Sequence, residues 1–165
     1  LTKFQAGDAS AILEQVGGAI RGYCDWHVAP SVAETLTIDG QGSRHIWLPS
    51  LHVTAVSGVK VHGESVEFDW SKTGFLELLT GQTPYRPRAI EVTFTHGHTA
   101  VPPEVVEVLV SVANRAISSP TGATREQAGA VSFNWATVAQ GVSGGIALLA
   151  HEREILDVYK LPKRP

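Results

Sequence analysis

From Ile90 to Thr95 apolar and polar residues alternate without a break, Ile90, Val92 and Phe94 against Glu91, Thr93 and Thr95. Successive side chains of a strand point to opposite faces, so this segment predicts a strand with one buried and one wet face. Such a strand needs partners, and residues 31–90 offer them. Val32, Thr35, Thr37 and Ile38 favour a strand, and Asp39-Gly40-Gln41-Gly42 is turn chemistry. Ile46-Trp47-Leu48 is a short apolar run ended by Pro49. Leu51, Val53, Val56, Val59 and Val61 suggest a long strand kinked near Ser57-Gly58, with a hairpin tip at His62-Gly63-Glu64. Val66, Phe68 and Trp70 alternate, and Phe75–Leu79 can pair with them. The block 31–96 therefore reads as an antiparallel meander.

Helical periodicity flanks this block. Residues 8–24 carry Ile12, Val16, Ala19, Ile20 and Tyr23 at three- and four-residue spacing, with Asp8 as N-cap and Pro30 beyond the end. Gly17 and Gly18 cost about 1 kcal/mol each relative to Ala, and close approach of another backbone would explain them. A second helix is predicted over 102–118, opened by Pro102 and Pro103. Its residues Val105, Val106, Leu109, Val110, Val112, Ala113, Ala116 and Ile117 cover more than one face, which in a chain of 165 residues points to a neighbouring subunit. Ser119 to Gly129 reads as a polar loop, and Val131, Phe133 and Trp135 as a short alternating strand, giving loop and strand over 119–137. Gly141, Gly144 and Gly145 form a joint before a third helix over Ile146–Tyr159, ended by Leu161-Pro162. The expected fold class is α+β, with three helices and the β block between the first two. One domain spans 1–145, and a C-terminal helix and tail span 146–165.

Composition narrows the function. A net charge of −3 argues against a dedicated nucleic-acid binder. The apolar runs fall far short of the ~18 residues of a membrane span, and the first residues lack the pattern of a signal peptide, so neither is expected. The single cysteine, Cys24, excludes an internal disulfide and a cysteine-based zinc site.

Catalytic constellations fail one after another. His96-Gly97-His98 has no acidic or cysteine partner at ligand spacing. His151-Glu152 begins a zinc-protease helix pattern, but the second histidine would fall on Ile155. Asp69, Glu77 and Glu91 show no convergence on a cleft, and Ser143-Gly144-Gly145 lacks a nucleophile elbow. Cys24 beside His27 follows a helix end, a poor place for a thiolate pair. Gly40-Gln41-Gly42 lies between strands and lacks the rest of a dinucleotide fingerprint. No catalytic residue, cofactor or metal is expected. Trp26, Trp47, Trp70 and Trp135 are read mainly as core, with Trp135 the best candidate for a subunit contact and Arg125 for an ion pair between subunits.

Four segments in this order carry a resemblance. They are Arg21-Gly22-Tyr23-Cys24-Asp25-Trp26-His27-Val28-Ala29-Pro30, Leu48-Pro49-Ser50-Leu51-His52-Val53, Val92-Thr93-Phe94-Thr95-His96-Gly97, and the stretch from Ser119 to Gly129. Together they resemble the head-to-tail adaptor proteins of siphophages, in the form seen in phages of actinobacteria, over roughly Ala9–Pro162. The resemblance implies a structural, non-enzymatic virion protein. It implies a ring of about twelve subunits below the portal, docked to a stopper or tail-side protein and leaving a channel through which DNA passes without sequence-specific binding. It implies a protein of the virion neck, assembled in the host cytoplasm, with no membrane contact. Portal contact would fall to the C-terminal segment, with Leu149, Leu156, Tyr159 and Leu161 as candidates, and Leu156→Asp would leave the monomer folded. Subunit contacts would involve Arg125, Phe133, Trp135, Val106 and Val110. The alternatives are a stopper or tail terminator ring and, further off, a metal-dependent hydrolase built on the histidines.

Overall fold

A computed structural model of the chain describes residues 6–118, 125–128, 131–134 and 145–163. It contains three helices and three antiparallel sheets, with two of the sheets lying in sequence between the first two helices, as the α+β reading expects. The chain divides into two compact units. One comprises Leu1–Cys24 and Pro102–Val158, the other Asp25–Val101 and Tyr159–Pro165. The expected C-terminal segment 146–165 is therefore split at residue 158, rather than standing apart from a single 1–145 domain.

The first unit holds helices α1 (Ala6–Cys24), α2 (Pro103–Ser118) and α3 (Ala150–Asp157). Val16, Ile20 and Cys24 of α1 and Val105, Val108, Val112, Ala113 and Ala116 of α2 are buried, along with Leu149 and Leu156. The glycines of α1 are not explained by a close neighbour. Among the described residues nothing lies within 4 Å of a Cβ built on Gly18, and only the Arg21 guanidinium approaches one on Gly17. The third helix is shorter than the expected 146–159. Gly145 has φ +84, and Leu149 is extended with ψ 165. The Ala147 carbonyl accepts from Arg115 Nη2 at 2.7 Å, and the Leu149 N–H donates to Glu152 Oε2 at 2.8 Å. These bonds tie the backbone ahead of Ala150 to side chains, and the helix begins only after them.

This unit also carries a two-stranded hairpin, Arg125–Ala128 paired with Val131–Asn134. The first of these strands falls inside the expected polar loop, because Arg-Glu-Gln-Ala has no strand signal of its own and the pairing makes the strand. The expected interface residue Trp135 lies outside the described residues.

The second unit is built from strands β1 (Val32–Ile38), β2 (His45–Trp47), β3 (Val53–Val61), β4 (Glu64–Ser65), β5 (Phe68–Trp70), β6 (Phe75–Leu78) and β7 (Ile90–His96). The last two strands of the chain, in the hairpin of the first unit, are then β8 and β9. One sheet has the order β1-β7-β3-β4 and the other β2-β6-β5. Pairing is antiparallel throughout, but it is not sequential, since β1 pairs with β7. His62 (φ +54) and Gly63 (φ +84) form the expected hairpin tip, both in the left-handed region that a two-residue turn requires. The kink near Ser57-Gly58 is a register shift between Val56 and Gly58 against β7. Both sheets feed one core that includes Ile46, Leu48, Val53, Leu76, Val92 and Phe94. Among the tryptophans Trp26 is buried, whereas Trp47 and Trp70 are 40% and 39% exposed. The core expectation fails for Trp47 because its neighbour Ile46 takes the inward position, and for Trp70, which shares a face with Leu76, because it ends the short edge strand β5.

Candidate functional site

In the helical unit the candidate side chains separate cleanly. Val106 and Val110 are 41% and 48% exposed and, with exposed Ile117, run along one side of α2, while the opposite side is buried. Their spacing of four and seven residues keeps them on a single stripe. Leu149 and Leu156 are 6% and 0% exposed and pack inside the unit, so as the chain folds here they are not offered to a partner. Leu156→Asp would accordingly not leave this unit intact, contrary to the expectation from sequence. Arg125 and Phe133 lie on β8 and β9.

The helical unit is held by a buried ion pair. Arg115 grips Glu152 with two bonds, Nη1 to Oε1 at 2.8 Å and Nη2 to Oε2 at 2.9 Å. Ser111 Oγ donates to Oε1 at 2.9 Å. Burial alone would push the Glu152 carboxyl up. The bonds from Arg115, the Leu149 N–H and Ser111 outweigh it and hold the group below its usual value. Tyr23 donates its hydroxyl to Asp157 Oδ1 at 2.6 Å, and this bond raises the phenol above its ordinary value.

In the β unit four histidines converge at one end of β7. Val32 and Val53 both pair with His96, so the segments ahead of β1 and β3 arrive beside the end of β7 and bring His27 and His52 with them. Gly97 (φ +91) makes the close approach possible, since a Cβ there would sit 3.0 Å from the Pro30 carbonyl. The Gly97 N–H donates to the His52 carbonyl and the His98 N–H to the Val28 carbonyl. The His52 and His98 rings stack at 4.3 Å, and His27 lies 5.9 Å from His96. His96 is 2% exposed, and neither ring nitrogen has a hydrogen-bond partner among the described residues. Its Nε2 lies 3.2 Å from Glu34 Oε1 without the alignment of a hydrogen bond. Burial depresses the His96 pKa; Glu34 acts against this and His27 adds to it. Burial and then His52 depress His98. Trp26 Nε1 donates to the Tyr159 carbonyl at 2.6 Å, and the Tyr159 ring meets His98 edge-on. Tyr159 and Leu161 are half-buried. The cluster is a set of closely packed imidazoles. Among the described residues no group of three or more His, Cys, Asp or Glu could hold a metal ion.

A cleft of about 320 Å³ opens in the same unit, lined by Asp25, Asp39, His45, Trp47, Leu161 and Lys163 among others. The loop over Gly40–Ser43 beside it is pinned by Thr83 Oγ1, which accepts from the Gln41 and Ser43 amides and donates to the Ser43 carbonyl. That loop is a braced turn, in keeping with its reading from sequence.

Solved structures place this fold. The chain shares its fold with chains in the neck of a gene transfer agent particle. A structure titled as the neck of the native particle, computed with C12 symmetry, aligns over 98% of this chain and 85% of the other, with a TM-score of 0.62 and 15% identity. The neck of the empty particle, computed with C6 symmetry, aligns over 100% and 83%, with a TM-score of 0.57 and 14% identity. The virion of the native particle aligns over 100% and 84%, with a TM-score of 0.57 and 16% identity. No family model and no curated protein matches the chain. The helix in the described residues is nowhere long and apolar enough to cross a membrane.

Proposed function

We propose that this chain is a structural subunit of a phage-type particle neck, an adaptor that forms a ring between portal and tail and leaves a channel for DNA. The observation that carries the reading is the shared fold, over nearly the whole chain, with a neck assembly computed with C12 symmetry. The four segments that resemble siphophage adaptors support it. So does the apolar stripe Val106, Val110 and Ile117, which costs solvent exposure in a lone subunit and is repaid by a neighbour. Tyr159 and Leu161 are the candidates for portal contact, while Leu149 and Leu156 act from inside by holding α3. The C12 symmetry of that neck supports about twelve subunits, in a closed cyclic assembly of heterologous contacts.

The test is native mass against concentration, with negative-stain images, for the wild-type chain alone and with portal protein. A ring with a central hole, alone or on the portal, is the expected outcome. Val110→Asp keeps stability within about 0.5 kcal/mol, because the site is half exposed, and abolishes the ring. A chain that stays monomeric in both conditions overturns the reading. A ring that binds a tail-side component but never portal assigns the chain to a stopper or terminator instead.

A further inference from the structure

Two incomplete β elements stand in this chain. The first is the outer edge of β1. It pairs with β7 over seven residues, Val32 to Ile38, without a register shift. No other backbone hydrogen bond reaches β1 among the described residues. The strand contains no proline and no lysine, two usual protections of an open edge, and its one charge is Glu34. The opposite edge of the same sheet is spoiled. There β3 carries two register shifts, β4 covers its end, and its Val53 amide and Val59 carbonyl bond to Lys72 and Val66. The edge strands β2 and β5 of the other sheet are three residues each.

The second is the β8–β9 hairpin, a sheet of two strands with no third among the described residues. Two-stranded hairpins are at best marginal in water and need a further strand or a covering face. The register pairs Arg125 with Asn134, Glu126 with Phe133, Gln127 with Ser132 and Ala128 with Val131. Six residues separate β8 from α2, and ten separate β9 from Gly145, tethers of at most about 20 and 35 Å.

Taking the ring reading above as its premise, we propose that β9 of one copy pairs with β1 of the next, so that each hairpin extends its neighbour's four-stranded sheet. β9 is the pairing strand because Val131 and Phe133 are strand formers and the residues of β8 are not. The occupant is a second copy because donor and acceptor differ. Pairing of β1 with itself is isologous and stops at a dimer, whereas hairpin to edge is heterologous and propagates around a ring.

Single cysteines test this. Thr35→Cys, at the centre of β1, and Ser132→Cys, on β9, are purified separately, mixed at concentrations up to millimolar and treated with a short bis-maleimide. Buried Cys24 stays in place, and wild type is the control. The expected result is a cross-linked dimer in the mixture and none in either variant alone. Phe133→Pro in the Ser132→Cys partner removes the cross-link without changing the melting of the rest of the chain. A dimer from Thr35→Cys alone means β1–β1 pairing and overturns the proposal. Rings without a mixed cross-link overturn it and leave the ring reading standing. Neither rings nor cross-link, with portal present, removes both.

Discussion

Replacing Glu152 with Gln tests what holds the helical unit together. The carboxylate is 1% exposed and takes four hydrogen bonds, two from Arg115, one from Ser111 and one from the Leu149 amide. The Arg115 side chain is 8% exposed. Glu152→Gln keeps the shape and removes the charge, leaving a guanidinium uncompensated in the interior. Breaking a buried pair in this way costs about 3–5 kcal/mol. With a urea dependence of about 2 kcal/mol per molar, the midpoint of unfolding falls by about 1.5–2.5 M, followed by helical circular dichroism. Removing both charges, as Arg115→Met with Glu152→Leu, recovers part of the loss. What remains is the Leu149 amide without its acceptor, about 1–3 kcal/mol. The folded carboxyl lies below its ordinary value, so the stabilisation is complete above the unfolded pKa and is lost as pH falls through the folded one. The gap between wild type and Glu152→Gln therefore narrows in acid. A loss under about 1 kcal/mol, the worth of an exposed pair, or a gap that does not change with pH, would refute the argument.

Other perturbations follow from the same structure. Leu156→Asp puts a charge at a site with 0% exposure and costs more than about 4 kcal/mol, seen as loss of the helical transition, so any failure of that variant to assemble reports unfolding rather than docking. Gly40→Ala sets a Cβ 2.0 Å from the Pro84 carbonyl and costs about 1–3 kcal/mol in chemical denaturation. His96 and His98 have depressed pKa values, so the unfolded chain takes up protons first as pH falls below about 6.5. Stability then falls with decreasing pH, by at most ~1.4 kcal/mol per pH unit for one such group, and His96→Leu flattens the profile measured between neutral and mildly acid conditions.

The strands announced themselves where burial is one-sided. β7 alternates in the sequence and alternates in burial, because each inward side chain meets the shared core and each outward one meets water. The second helix was legible for the same reason, and its excess of apolar residues is the exposed stripe at Val106 and Val110. What could not be read was long-range. Nothing local tells β1 to pair with β7, fifty-odd residues on, and that pairing together with the β3–β7 pairing gathers His27, His52, His96 and His98. The start of α3 was hidden likewise. Ile146–Leu149 has helical composition, but Arg115 and Glu152 claim its backbone groups from elsewhere in the fold. β8 carries no strand signal, since a strand of Arg-Glu-Gln-Ala exists only through its partner.

The unequal treatment of the two sheet edges has a consequence for assembly. An exposed strand edge is a template for any chain that can extend, and natural sheets spoil such edges with bulges, short strands and charge. The β3–β4 side shows bulges and a short strand, whereas β1 runs seven residues without a register shift and carries a single charge, Glu34. Two open edges on each subunit would let sheets add in both directions and grow without limit. One open edge and one hairpin give each subunit a single acceptor and a single donor. Such a pair can only link head to tail, and the angle between successive subunits then decides between a closed ring and a filament. If the exposed Val106–Val110 stripe on α2 is the subunit contact proposed above, it sets this angle, since one strand pairing alone leaves a subunit free to swing about it. Loss of the stripe with the hairpin intact should therefore yield open chains of cross-linkable subunits, whereas loss of the hairpin leaves no chain to close.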